Sequence, residues 1–250
     1  MTGTGPEQTR EWFRDWFGEE YLALYPHRDE AEAVRAVDLY LNSVPPGDVR
    51  VLDLACGAGR HVRALRRVGL QALGLDLSVV LLREVRKIDP SLPIIRGDMR
   101  DLPFADFSFG GLTSFFTSFG YFATMQEDRA VIGQIRRILT PGGTFMLDFF
   151  NARRVRAQLV PQDVRWFGDR RVTQTRKIIG DMVVKRIVIA PMESSEPARE
   201  FEERVRLYEP EQLESMLREQ GLDTEYRYGD YSGTGFTDES ERLILAGHAR

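Results

Sequence analysis

The sequence is poor in several features that would fix a role by themselves. Its 250 residues contain one cysteine, Cys56. That excludes an intrachain disulfide framework and any multi-cysteine metal centre. The three histidines, His27, His61 and His248, are too scattered to give metal-ligand spacing. No run approaches the ~20 apolar residues of a membrane span, and the opening MTGTGPEQTREWF lacks the apolar core of a signal peptide. A cytoplasmic protein with no membrane partner is expected. There is no basic excess either. The formal net charge is −4, whereas phosphate-neutralising proteins carry a positive balance, so no nucleic-acid partner is expected. Internal repeats and low-complexity tracts are lacking. What remains, 42% hydrophobic and 29% charged, is an ordinary globular composition, long enough to bury one large core.

What is present concentrates in Val51–Arg60, VLDLACGAGR. An apolar strand with one acidic residue, Asp53, runs into a turn of small residues: Ala55, Cys56, Gly57, Ala58 and Gly59. His61–Arg67 then opens a helix. A turn without side-chain bulk lets a ligand lie on the backbone. The N–H groups at the helix start suit an anionic or strongly polar group. The pattern points to a nucleotide-type ligand. Asp76 closes the next strand, where an acidic side chain meets the ribose hydroxyls and, being acceptor-only when ionised, takes both protons. Asp98 and Met99 follow the third strand, one suited to an exocyclic adenine amine and the other to a polarisable wall beside the ring. A dinucleotide fingerprint starting at Gly57 requires a third glycine at position 62, where Val62 stands; this disfavours a dehydrogenase.

Strand patterns at Val49–Leu54, Ala72–Asp76, Ile94–Arg96, Phe109–Ser114 and Gly143–Phe149 alternate with helical patterns at His61–Val68, Ser78–Lys87 and Glu127–Leu139. Such alternation predicts a parallel sheet covered on both faces. Pro141-Gly142-Gly143 breaks the chain before the last of these strands. Ahead of them, Trp12, Phe13, Trp16 and Phe17 mark one face of a short helix, a core element or a lid. A second helix covers Asp29–Leu41, with Val34, Val37 and Leu41 inward. After them, Arg171–Ile179, Met182–Ala190 and Arg199–Tyr208 read as antiparallel strands, the first two joined by a Gly-first hairpin turn at Gly180-Asp181. The charge-rich stretch 193–206 reads as the wet face of this insertion, with Phe201, Val205 and Leu207 on the dry side and Glu202, Arg204 and Arg206 on the wet side. Helix Glu211–Gln220 and strands Thr224–Tyr228 and Arg242–His248 close the chain.

The series Asp53-x-Ala55-Cys56-Gly57-x-Gly59, Asp76, Gly97-Asp98-Met99 and Pro141-Gly142-Gly143 resembles the S-adenosylmethionine-dependent class I methyltransferases, over about residues 20–150 and 205–250. The turn of that family often has Gly where Ala55 stands. The resemblance implies an α/β fold: a doubly wound, mostly parallel, seven-stranded Rossmann-like sheet with a small antiparallel β insertion. It divides the chain into an N-terminal helical lid (1–45), a cofactor domain (46–160 and 209–250) and the insertion (161–208). Leu24–Asp29 is similar to a segment that closes over the cofactor. S-adenosylmethionine would then contact Tyr25, Arg28, Ala55, Cys56, Gly57, Gly59, His61, Asp76, Leu77, Asp98, Met99 and Phe115. Arg28 reads equally well as a surface charge.

Methyl transfer from a sulfonium is an in-line displacement whose donor carries its own activation, so no Ser/His/Asp set is needed and none is found. The fourth strand runs into Thr113–Phe122, a mixture of hydroxyls and aromatic rings. There Phe115 is placed to cover the cofactor and Tyr121 to orient or deprotonate an acceptor. Asp148 and Asn151 read either as acceptor-side groups or as strand-end caps. The segment lacks the Asp/Asn/Ser-Pro-Pro-aromatic tetrad of base-amine methyltransferases. A small-molecule acceptor is expected, an amine before a hydroxyl. The insertion is similar to that of small-molecule N-methyltransferases. A cofactor-binding protein without transfer activity is the alternative, and both monomer and homodimer stay open.

Overall fold

A computed structural model describes residues 11–25, 30–47, 49–192 and 197–250. Arg28, expected to contact the cofactor, lies outside the described residues. Three helices, α1 (Trp12–Trp16), α2 (Glu19–Leu24) and α3 (Glu30–Ser43), precede the first sheet. There β1 (Arg50–Leu54), α4 (Arg60–Arg67), β2 (Gln71–Asp76), α5 (Val79–Ile88), β3 (Ile94–Arg96), β4 (Phe109–Ser114), α6 (Met125–Ile138) and β5 (Leu139–Phe150) alternate as the periodicity predicts. Then come α7 (Ala152–Gln158), β6 (Gln162–Phe167), β7 (Arg170–Ile179), β8 (Met182–Pro191), β9 (Arg199–Arg206), α8 (Pro210–Glu219), β10 (Leu222–Tyr228) and β11 (Arg242–Ala249).

The seven-stranded sheet has the order β10-β11-β5-β4-β1-β2-β3. Strands β1 to β5 pair in parallel, and β11 is antiparallel to both neighbours, as the resemblance implies. The central strands are buried on both faces, and their polar residues, Asp53, Thr113 and Ser114, are buried with them. Helices supply the covering stripes, such as Val131, Ile132, Ile135 and Ile138 of α6. That helix starts at a capping box: Thr124 and Glu127 exchange side-chain and backbone hydrogen bonds. A separate antiparallel sheet, β6-β7-β8-β9, carries α1 and α2 against its inner face. Gly180, at φ +60°, makes the predicted two-residue turn between β7 and β8.

Several expectations need correction. Val34 is 40% exposed; α3 is instead buried through Ala33, Ala36, Val37 and Tyr40, whose alanines allow close approach to α4. Strand β5 is continuous through Pro141-Gly142-Gly143, but its register against β4 shifts there: Phe109 pairs with Leu139 and Gly111 with Thr144, so three extra residues bulge between the two pairs, with Gly142 at φ +72° among them. Helix α7 and edge strand β6 have no counterpart in the periodicity. The strand carries Val164 and Trp166 on its exposed side, so its alternation has no clear sense. Arg206, assigned to the wet face, is buried. It donates to Asp128 at 3.2 Å, to the carbonyls of Phe122 and Ala123, and to Asp181 in the hairpin turn.

Candidate active site

Parallel strands joined by right-handed crossovers bring their carboxyl ends to one edge, where ligands of such sheets bind. A cavity of 1450 Å³ opens there, lined by the tips of β1 to β5, by α1 and α2, and by the inner face of the second sheet. It brings together Tyr25, Ala55, Cys56, Gly57, His61, Asp76, Leu77, Asp98, Met99, Phe115 and Tyr121. Gly59 is not in the lining. Its φ is +76°, and a Cβ there would stand 3.0 Å from Leu92 and 3.1 Å from Val85. Glycine is required at that position by packing beneath the turn.

The turn alternates left-handed residues: Ala55 (φ +58°), Gly57 (φ +55°) and Gly59. Small residues tolerate this arrangement best. A Cβ on Gly57 would meet nothing closer than Leu81, at 3.9 Å, so its backbone is open to the cavity. Cys56 turns its thiol against Gly74, where an added Cβ would lie 2.7 Å from the sulfur. It is a packing residue, and burial, reinforced by Asp76 and Asp53, pushes its thiol well up. Asp76 accepts the Gly57 N–H on Oδ2 and the Ser78 N–H on Oδ1, each at 2.8 Å. Burial raises its carboxyl, and the N–H groups of Ser78, Gly57 and Leu77 offset that only in part. A carboxylate has about four lone-pair sites, so acceptor capacity remains for a diol.

Asp53 sits behind the turn, 1% exposed. Its Oδ1 accepts from Thr113 at 3.0 Å, and among the described residues its buried Oδ2 has no hydrogen-bond partner. Burial is the main cause that pushes its carboxyl up to about 7. Above its unfolded value of 3.8, the folded chain holds this proton more tightly than the unfolded chain. Stability from this group is therefore full at low pH and is lost as pH rises to about 7. Asp53→Asn is expected to remove that loss, about 1.4 kcal/mol per pH unit. The gain in melting temperature over wild type should grow from about pH 4 to pH 7 and then level off; a pH-independent gain would contradict the assignment.

At the third tip Asp98 is held by Arg100, at 3.1 Å from Nε and 2.7 Å from Nη2. Burial alone would raise the Asp98 carboxyl, but Arg100 outweighs it and holds the group below its ordinary range. The aromatic run after β4 frames the next wall. Phe115 lies against His61 with ring centroids 4.5 Å apart. Tyr121 packs against Trp12 at 4.9 Å, while its hydroxyl donates to the Thr117 carbonyl. Its ring, more than its hydroxyl, shapes the cavity. Phe116 lies between two guanidiniums, Arg60 at 4.9 Å and Arg242 at 4.8 Å. Phe116 and Thr117 both have positive φ, +66° and +59°. Asp148 takes the Phe116 N–H at 2.6 Å. Asn151 caps α7 and donates to the carbonyls of Thr237, Asp238 and Ser240, which is the cap reading.

Sequence reasoning missed Arg60 and Arg63, cavity cations on the first turn of α4; the only signal was their place just after the glycine turn. It also missed Lys185 and Glu203 on the second sheet. Lys185 Nζ donates to Tyr25 at 2.8 Å and to Glu203 at 3.0 Å, and Trp16 donates to Glu203 at 2.5 Å. Glu203 thus belongs to the contact with α1 and not to a wet face. No group of three metal-ligating side chains forms among the described residues, and no described helix is long and apolar enough to cross a membrane.

The open Gly57 backbone and the spare acceptor capacity of Asp76, both at the cavity's strand tips, fit the ribose and the polar amino-acid end of S-adenosylmethionine. The family described as Methyltransferase domain matches residues 51–143, from β1 into β5. Residues 51–143 are thus a methyltransferase domain, and the fold, cofactor and enzyme activity supported are those of the class I S-adenosylmethionine-dependent methyltransferases. The chain is similar to the dTDP-3-amino-3,4,6-trideoxy-alpha-D-glucopyranose N,N-dimethyltransferase of Streptomyces venezuelae, 28% identical over 213 residues, 82% of this chain and 88% of that one. The dTDP-3-amino-3,6-dideoxy-alpha-D-glucopyranose N,N-dimethyltransferase of Streptomyces fradiae is 26% identical over 214 residues, 84% and 82% of the two chains. The solved CcbJ methyltransferase of Streptomyces caelestis shares the fold, with a TM-score of 0.78 at 19% identity over 94% of this chain and 98% of that one.

Proposed function

We propose that the chain methylates an amine of a small molecule. The observation that carries this reading is the single cavity running from the strand tips to the second sheet. It has room for the cofactor and a compact acceptor under a cover of aromatic rings, and the relatives named above are amino-sugar N,N-dimethyltransferases.

S-adenosylmethionine, when bound, supplies a methyl group on a positively charged sulfur. The cofactor-side roles belong to Tyr25, Ala55, Cys56, Gly57, His61, Asp76, Leu77, Asp98, Met99 and Phe115, with Asp76 on the ribose hydroxyls and Asp98 on the adenine side. On the acceptor side, a neutral amine would present its lone pair to that methyl group, which the cofactor would give up by in-line displacement. The product ammonium then loses its proton to water. The protein's task is to hold the nitrogen near 3 Å from the methyl carbon in a dry, aligned pose, worth about 7–11 kcal/mol of barrier. Phe115, Phe116 and Tyr121 exclude water there, and their π faces suit a developing ammonium.

A panel of paired amines and alcohols, incubated with S-adenosylmethionine and read by mass spectrometry, tests this. Methylated amines are the expected product. Methylation of the alcohols alone would overturn the amine preference. Raised melting with NAD but not with S-adenosylhomocysteine would argue against the cofactor roles.

A further inference from the structure

The inner face of the second sheet is mostly apolar: Val172, Ile187, Ile189 and Phe201 pack there with Trp16 and Leu24. A polar patch interrupts it. Asp163 of β6 stands across from Gln174 of β7. Arg176, two residues further along the same face, stands across from Lys185, which stands across from Glu203. Asp163, Arg176, Lys185 and Glu203 all line the cavity.

The patch has two parts. Lys185 and Glu203 hold the N-terminal segment through Tyr25 and Trp16. Asp163, Gln174 and Arg176 hold one another instead: Arg176 donates to Asp163 Oδ2 at 2.6 Å and to the Gln174 amide oxygen. Asp163 Oδ1 is buried and, among the described residues, accepts no hydrogen bond; Arg165 Nε stands 3.4 Å from it. Placing a carboxylate and a guanidinium on an apolar sheet face carries a desolvation cost that their attraction offsets only in part, and apolar side chains would serve a purely structural sheet as well. Convergent polar groups in an otherwise apolar cavity mark recognition.

We infer that Asp163 and Arg176, the latter braced by Gln174 beneath, form the acceptor-recognition surface and select a hydroxyl-rich scaffold around the reacting amine. The inference rests on the amine-methylating reading above. A carboxylate accepts from hydroxyls and a guanidinium donates to them. An apolar amine would cover these groups without pairing them, a mismatch that sites of this kind discriminate against strongly.

The test uses the full chain saturated with S-adenosylhomocysteine, titrated calorimetrically with methyl 3-amino-3-deoxy-α-D-glucopyranoside and with cyclohexylamine. The sugar amine is expected to bind at least about tenfold more tightly. Arg176→Gln and, separately, the near-isosteric Asp163→Asn should reduce that preference to about threefold or less while S-adenosylhomocysteine affinity stays within about twofold. Asp163→Asn preserves shape, so it carries the test if Arg176→Gln does not fold. Equal binding of the two amines, binding of neither, or a preference that survives both substitutions would overturn the inference. Loss of S-adenosylhomocysteine binding by the wild-type chain would instead strike at the cofactor assignment, a separate failure. Tight sugar-amine binding with methylation of its hydroxyls alone would strike at the amine reading and leave the recognition surface in place.

Discussion

Asp76→Ala is expected to weaken S-adenosylhomocysteine binding by about 10- to 100-fold, the loss of about 1.4–3 kcal/mol that charged hydrogen bonds contribute. Two effects add. The ribose loses its acceptor, and the glycine turn loses the carboxylate that fixes the N–H groups of Gly57 and Ser78 at 2.8 Å each. Asp76→Asn should fare little better. An amide presents one acceptor and one donor, so its NH2 must face one of two backbone N–H groups that both need an acceptor. Titration calorimetry with S-adenosylhomocysteine measures both variants. An Asp76→Ala affinity within threefold of wild type would remove the ribose role.

The cofactor half was legible because its information is local. Asp53, Ala55, Gly57 and Asp76 lie within two consecutive strands, and the left-handed turn demands small residues that announce it. Even there, Gly59 has a packing reason beside the cofactor contact expected of it. Smallness signals both close ligand approach and close packing, and only the positions of Leu92 and Val85 reveal the packing. The strand count and the antiparallel final strand were legible through the resemblance, but the strand order was not read, since periodicity shows that strands alternate with helices but not which strands are neighbours. The acceptor half was largely illegible because its contacts are remote in sequence. Trp16 reaches Glu203, Tyr25 reaches Lys185, and Arg242 reaches Asp148. Alternation along β9 assigns residues to two faces without telling what covers either. Charges at Glu203 and Arg206 therefore read as solvent-facing, until α1 is seen to cover Glu203 in part and α6 to bury Arg206.

The largest loss of stability is expected from Asp148→Ala. Asp148 is 3% exposed, and its carboxylate receives Arg242, the Tyr231 hydroxyl and the Phe116 N–H. Burial works against charge on Arg242, yet Asp148 keeps its pKa above the ordinary value; burial and the same carboxylate push the Tyr231 hydroxyl well up. Removing the carboxylate leaves Arg242, a partly buried cation with its side chain 18% exposed, without its main partner, a loss of up to about 3–5 kcal/mol. At about 2–4 °C per kcal/mol for a chain of this size, melting should fall by up to roughly 6–20 °C. The carboxylate also holds a strained backbone. Left-handed φ at a non-glycine residue costs about 1–2 kcal/mol, and Phe116 and Thr117 both adopt it. The Thr117 N–H is retained by the Asp148 carbonyl, which the alanine variant keeps, so the Phe116 N–H is the one released. Thr117→Gly should therefore recover about 1 kcal/mol of the Asp148→Ala loss by relieving its φ, less whatever the lost contact from Thr117 Oγ1 to Arg242 contributes. Urea unfolding of the single and double variants measures the coupling directly. A loss below 1 kcal/mol for Asp148→Ala would mean that Arg242 finds another partner, and the post-β4 loop would then be held by its aromatic packing against His61, Trp12 and the two guanidiniums alone.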